Sequence, residues 1–174
     1  LHAPTWRDDL ASNFRTAEVL ETLDVDEFTR SLPDHVLLMR GHRFHAPGQD
    51  RPGVIDVTEY PEINVLILAA DVAVLDYSSL RFDFALTGKP IVFLVPGLDD
   101  YTHGSRGFLH SFEETAPGPM VATTVEVVRH VRAPAALARE SAEDLARFNA
   151  RFNAKHDGHA AQRVVDVIEG LARR

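Results

Sequence analysis

Apolar residues along the chain follow two alternating patterns. Short unbroken runs rich in Val, Ile and Leu are separated by longer stretches in which apolar residues recur every three or four positions. The runs "HVLLMRGH" (35–42), "GVIDVT" (53–58), "DVAVLDY" (71–77), "KPIVFLV" (89–95) and "PMVATT" (119–124) read as five strands, and the opening "LHAPTW" reads like the end of another. Helical spacing predicts a helix over 15–32 with a break near Asp24, one in "YPEINVLILAA" ending at Ala70, and one in "SSLRFDFALTG" between a Ser N-cap and Gly88. The last third reads as two helices, 134–155 and 158–174, with "HDG" as the break. The loop "HAPGQDRPG" (45–53) is rich in turn residues.

Continuous apolar strands alternating with helices predict a parallel sheet covered on both faces. The fold class is therefore α/β, a doubly wound Rossmann-like sheet. We expect a single domain over 1–174, with C-terminal helices from about residue 134. Ligands of such sheets bind outside the carboxyl ends of the strands. The segments at those ends are "APTWRDD", "RGHRFH", "DVTEYP", "DYSS" and "PGLDDYTHGSRGF". All of them carry polar groups where turn residues alone would serve.

Ser78 and Ser79 stand where a strand gives way to a helix, so unpaired backbone N–H groups and two hydroxyls face the same place, a layout that suits a phosphate. One Ser alone would simply cap the helix. His42 ends its strand and can donate to a phosphate oxygen or, protonated, supply charge; Arg40 alternates with it along the strand. Read alone, Asp83 is a solvent-facing helix acid, but beside a phosphate its carboxylate can accept from a ribose. Asp76 can orient the loop by accepting backbone N–H groups. Arg7 can pair with a phosphate, Trp6 beside it reads as packing, and Arg106 lies in a Gly-flanked loop suited to gripping phosphates.

Composition narrows the function classes. The chain has 174 residues, 45% hydrophobic and 25% charged, with no Cys and a net charge of −8. Disulfides and thiolate metal sites are excluded. The acidic balance argues against a nucleic-acid partner. No apolar run reaches the roughly 18 residues of a membrane span. Nine His are scattered without a metal-ligand spacing, and neither GxGxxG, GxxxxGK[ST] nor GxSxG occurs. No metal or cofactor is expected. The chain opens on Leu1 within strand-like sequence, and we expect it to be part of something longer.

Together, "APTWRDD", "LLMRGHRF", "DVTEYPEINVLILAADVAVLDYSSLRFDFALTGKPIVFLVPGLDDY", "RGFLHSFEETAPGPMV" and "DGHAAQRVVDVI" resemble the CDP-glycerol glycerophosphotransferase family of teichoic-acid glycerol-phosphate primases and polymerases. The resemblance runs in order over nearly the whole chain. It implies the donor-binding, C-terminal half of a two-domain GT-B transferase, which moves glycerol phosphate from CDP-glycerol to a lipid-linked acceptor and releases CMP. It assigns the donor pyrophosphate to His42, the catalytic candidate, with Ser78 and Ser79 holding phosphate, Asp83 on the ribose, Val57, Thr58 and Pro61 lining the cytosine, and Arg106 over the phosphates. Arg7 and Arg40 complete the expected donor contacts. The base and the acceptor cleft are expected from the other half, so this part alone is expected to bind nucleotide without turning over. The full-length protein is expected to be peripheral on the cytoplasmic face of the bacterial membrane. A CDP-ribitol or nucleotide-sugar donor is the alternative on the same scaffold; a non-catalytic partner-docking module is the alternative of another class.

Overall fold

The computed structural model describes residues 1–5, 22–41, 51–100, 102 and 108–173. Its strands are β1 (Leu37–Met39), β2 (Val54–Asp56), β3 (Ala73–Leu75), β4 (Ile91–Leu94) and β5 (Met120–Val121). Its helices are α1 (Val25–Ser31), α2 (Ile63–Ala69), α3 (Leu80–Ala85), α4 (Leu98–Asp100), α5 (Phe112–Thr115), α6 (Thr124–Val131), α7 (Pro134–Phe152) and α8 (Ala160–Ala172).

β1 pairs with β2, and β4 pairs with both β3 and β5, all in parallel. The start of the chain joins the two groups. His2 bridges Met39 on one side and Val74 on the other, both parallel. Its amide donates to the Leu38 carbonyl at 2.8 Å, and its carbonyl accepts from Arg40 N at 2.9 Å. The spatial order is therefore β2, β1, the His2 segment, β3, β4, β5. Counted in chain order from the His2 segment, this is the 3-2-1-4-5-6 order of a Rossmann sheet. "LHAPTW" does open on the end of a strand.

The period of two along the central strands sorts their side chains between two cores. Ala73 and Leu75 of β3 and Ile91 and Phe93 of β4 face one core, which α2, α3, α5 and α7 cover. Val74, Val92 and Leu94 face the other, beneath α1 and α6. Both faces are dry, which is why these strands read as unbroken apolar runs.

Several helix ends differ from the periodicity reading for local reasons. The break expected near Asp24 is an N-cap: the Asp24 carboxylate accepts from Glu27 N at 2.9 Å, and α1 starts at Val25. Residues 15–21 of that expected helix lie outside the described residues. Helix α6 was hidden by its position between a strand and a longer helix, yet Thr123 and Glu126 form a full capping box at its start. Helix α2 ends where Lys89 Nζ donates to the carbonyls of Leu68 at 2.7 Å and Ala70 at 2.8 Å. The side chains of Asn149 on α7 and of its C-cap Asn153 donate to the Ala85 and Phe82 carbonyls of α3, at 2.8 and 2.9 Å. Gly158, at φ +79°, makes the break before α8. No described helix is long and apolar enough to cross a membrane.

Candidate functional site

In the observed strand order the chain leaves the sheet in opposite directions from the His2 segment and from β3. The crevice between their carboxyl ends is the topological switch point, the place where open α/β sheets bind ligands. One carboxylate spans it. Asp76, at the end of β3, is 7% exposed. Its Oδ2 accepts from Thr5 N at 2.7 Å, and its Oδ1 accepts from Thr5 Oγ1 at 2.7 Å and from Ser78 N at 3.0 Å. Three donors on one buried carboxylate fix the ends of the His2 segment and of β3 to each other. The loop-orienting role read from the sequence for Asp76 is what these bonds perform. Thr5, which sequence reasoning left without a role, is its partner across the crevice.

The loop that Asp76 holds carries the two serines. Ser78 is half-buried, and its Oγ accepts from Leu80 N at 3.3 Å. Ser79 is exposed at the N-cap position of α3, and its side chain makes no cap hydrogen bond. The Ser79 hydroxyl is thus not spent on the helix, and Ser78 keeps its proton for donation. Helix α3 has only six residues, so hydroxyls, rather than an extended helix dipole, are the donors on offer. Asp83 is exposed further along the same helix.

On the other side of the crevice, the ends of β1 and β2 form a hydrogen-bonded rim. Val57 N continues the ladder to Met39 O at 2.8 Å. Gly41 N donates to Thr58 Oγ1 at 2.9 Å, and Thr58 N donates to Asp56 Oδ1 at 2.8 Å. Arg40 Nη1 donates to Tyr60 O at 2.7 Å and, more weakly, to Val57 O at 3.4 Å. Arg40 therefore clips the turn after β2 with one nitrogen of its fork. Val57 is buried, Thr58 half-buried and Pro61 exposed on this rim.

Of the predicted site residues, the structure brings Ser78, Ser79 and Asp83 together on one segment and Arg40, Val57 and Thr58 together on the rim, with Pro61 on the loop just after it. His42, Arg7 and Arg106 lie outside the described residues. Among the described residues no group of three His, Asp or Glu side chains is arranged to hold a metal ion.

Sequence reasoning missed the aromatic cluster behind the crevice. Tyr77 follows Asp76, donates to Pro96 O at 3.1 Å, and lies 6.0 Å from the Phe108 and Phe112 rings. Phe112 in turn packs edge-on against Phe93 of β4 at 5.3 Å. The "RGFLHSF" segment carried the signal, since Phe108 and Phe112 stand at helical spacing.

Residues 1–170 match the family described as CDP-Glycerol:Poly(glycerophosphate) glycerophosphotransferase. A teichoic acid glycerol-phosphate transferase of Staphylococcus aureus is 32% identical over 97% of this chain and 44% of its own. A teichoic acid poly(ribitol-phosphate) polymerase of Bacillus spizizenii is also 32% identical, over 97% of this chain and 27% of its own. The solved structure of a variant of the wall teichoic acid polymerase TagF, soaked with CDPG, superposes with a TM-score of 0.82 at 29% identity, covering 97% of this chain and 42% of that one. The chain thus spans less than half the length of each.

Proposed function

This chain belongs to the CDP-glycerol:poly(glycerophosphate) glycerophosphotransferase family, and from that premise we propose that its carboxyl edge holds the activated donor of a transfer reaction. The donor is CDP-glycerol. The observation that carries the reading is the Asp76–Thr5 clamp at the switch point, which delivers Ser78 and Ser79 to the crevice with hydroxyls to spare. The CDPG soak of the TagF variant, at 29% identity and the same fold, supports this choice of ligand.

In this reading the hydroxyls of Ser78 and Ser79 donate to the diphosphate, Asp83 accepts from the ribose, and Val57, Thr58 and Pro61 line the cytosine. Arg40 holds the rim, and the phosphate-binding roles go to Arg7, His42 and Arg106. An acceptor hydroxyl oxygen attacks the glycerol-bearing phosphorus, the bond from that phosphorus to the bridging oxygen breaks, and CMP leaves with the electron pair. His42 neutralises the charge gathering on that oxygen. The hydroxyl proton passes to a base in the rest of the enzyme. The acceptor is lipid-linked, the whole enzyme is of the GT-B kind, and it works as a peripheral protein at the cytoplasmic membrane face.

CDP-ribitol is the second reading, because the ribitol-phosphate polymerase is as similar as the glycerol-phosphate transferase. Thermal-shift titration of the chain with CDP-glycerol, CDP-ribitol and a UDP-sugar separates the readings. CDP-glycerol is expected to raise the midpoint most. A larger rise with CDP-ribitol selects the second reading, and an equal rise with the UDP-sugar removes both.

A further inference from the structure

Arg81 occupies the buried stripe of α3 together with Phe84 and Ala85, at the i, i+3 and i+4 spacing of a core-facing side. Only 7% of it is exposed. Its guanidinium carbon lies 4.6 Å from the centre of the Phe112 ring, 5.0 Å from Phe82 and 5.9 Å from Phe148. Nε and Nη1 are buried with no hydrogen-bond partner among the described residues. Burial pulls its pKa below the ordinary guanidinium value.

This arrangement is costly for the fold. A Leu or Met would fill the same stripe without unmet donors, and a buried cation with no carboxylate against it among the described residues is costly to keep. Ring faces compensate a guanidinium only in part, whereas a phosphate takes its fork with two charge-assisted bonds. The location is also specific. Phe112, the nearest ring, packs against Tyr77 and Phe93, so the Phe112 side of the cage adjoins the segment that follows β3. Arg81 is two residues past Ser79 and its amide bonds to the Ser78 carbonyl.

We propose that Arg81 is a further cation for the diphosphate of the donor: when the diphosphate sits beside Ser78 and Ser79, the guanidinium leaves the ring faces and pairs with it through its fork. The inference rests on the nucleotide reading above and adds to it a charged diphosphate partner that sequence reasoning did not single out.

Calorimetry on the chain with CDP, cytidine and inorganic pyrophosphate tests it. For Arg81→Met the expected result is a loss of about 10- to 100-fold in CDP affinity, the range of a charge-assisted contact. Pyrophosphate binding is expected to vanish while cytidine affinity is unchanged and the thermal midpoint holds or rises. Arg81→Lys, which keeps the charge without the fork, is expected to fall between; it also serves if the Met variant fails to fold. Wild-type CDP affinity in either variant overturns the inference while the nucleotide reading survives. A wild-type chain that binds neither CDP nor pyrophosphate overturns the nucleotide reading, and the inference with it.

Discussion

Thr5 and Asp76 face each other across the switch point of the sheet, joined by two hydrogen bonds of 2.7 Å, one from the Thr5 amide and one from its hydroxyl. The pair links the first strand segment to β3, and through Ser78 N it also sets the serine loop. Asp76→Ala leaves the half-buried amides of Thr5 and Ser78 without their acceptor, and is expected to cost about 2 kcal/mol. Thr5→Val removes only one of the three bonds and is expected to cost about 1 kcal/mol. Urea unfolding of both variants and of the double variant checks this; strictly additive losses would show that the two side chains do not act as a pair.

Lys89 gives the "GKP" segment a structural reason. Its ammonium closes the last carbonyls of α2, at Leu68 and Ala70, where a cation also suits the helix dipole. Lys89→Met keeps the stem and removes the donors, so a loss of about 1 kcal/mol is expected. Unchanged stability in denaturant melts would contradict the capping role.

Gly118 is required by contact rather than by backbone angle. A Cβ there would lie 2.1 Å from the carbonyl oxygen of Ile91, at the start of β4. That obstacle is strand backbone and cannot turn aside. Gly118→Ala is expected to cost about 2 kcal/mol or more by overpacking, which lowers the melting midpoint by about 5 °C in a chain of this size. Calorimetric melting of the variant within a degree of wild type would refute the contact.

His2 should impose a pH dependence on folding. It is 3% exposed, and its Nδ1 lies 2.8 Å from the Val74 carbonyl oxygen, so the neutral ring carries its proton on Nδ1. Burial holds its pKa below the ordinary 6.5. The unfolded chain therefore binds the proton first, and this contribution to stability is fully present above pH 6.5 and drains away as pH falls below it. Unfolding free energies measured across that window should fall with acidification in wild type and fall less in His2→Asn, which keeps a donor for Val74. Parallel curves would exclude His2 as the source.

How much was legible in the sequence depended on how local the cause was. The five strands were legible because β3 and β4 are buried on both faces and leave continuous apolar runs. The serine loop and the orienting role of Asp76 were legible because strand, acid and serines are adjacent in sequence. The Thr5 half of the clamp was not, since it depends on two segments 71 residues apart meeting at the switch point. Arg40 read as a donor contact alternating with His42, and the bond from one of its nitrogens to the Tyr60 carbonyl was not legible, because side-chain patterns do not reveal a backbone acceptor. Helix α6 was within reach, because Thr123 and Glu126 spell a capping box. Arg81 was also within reach, as a charge on a stripe whose spacing belongs to the core.

In the reading proposed above, the switch point bridged by Thr5 and Asp76 receives a cytidine diphosphate through the hydroxyls of Ser78 and Ser79. Titration calorimetry of the chain with CDP, CMP and UDP, repeated on Ser79→Ala, is the decisive experiment. CDP is expected to bind more tightly than either CMP or UDP, and Ser79→Ala to weaken CDP more than CMP. Equal affinity for CDP and UDP, or an equal loss for CDP and CMP in the variant, would contradict it.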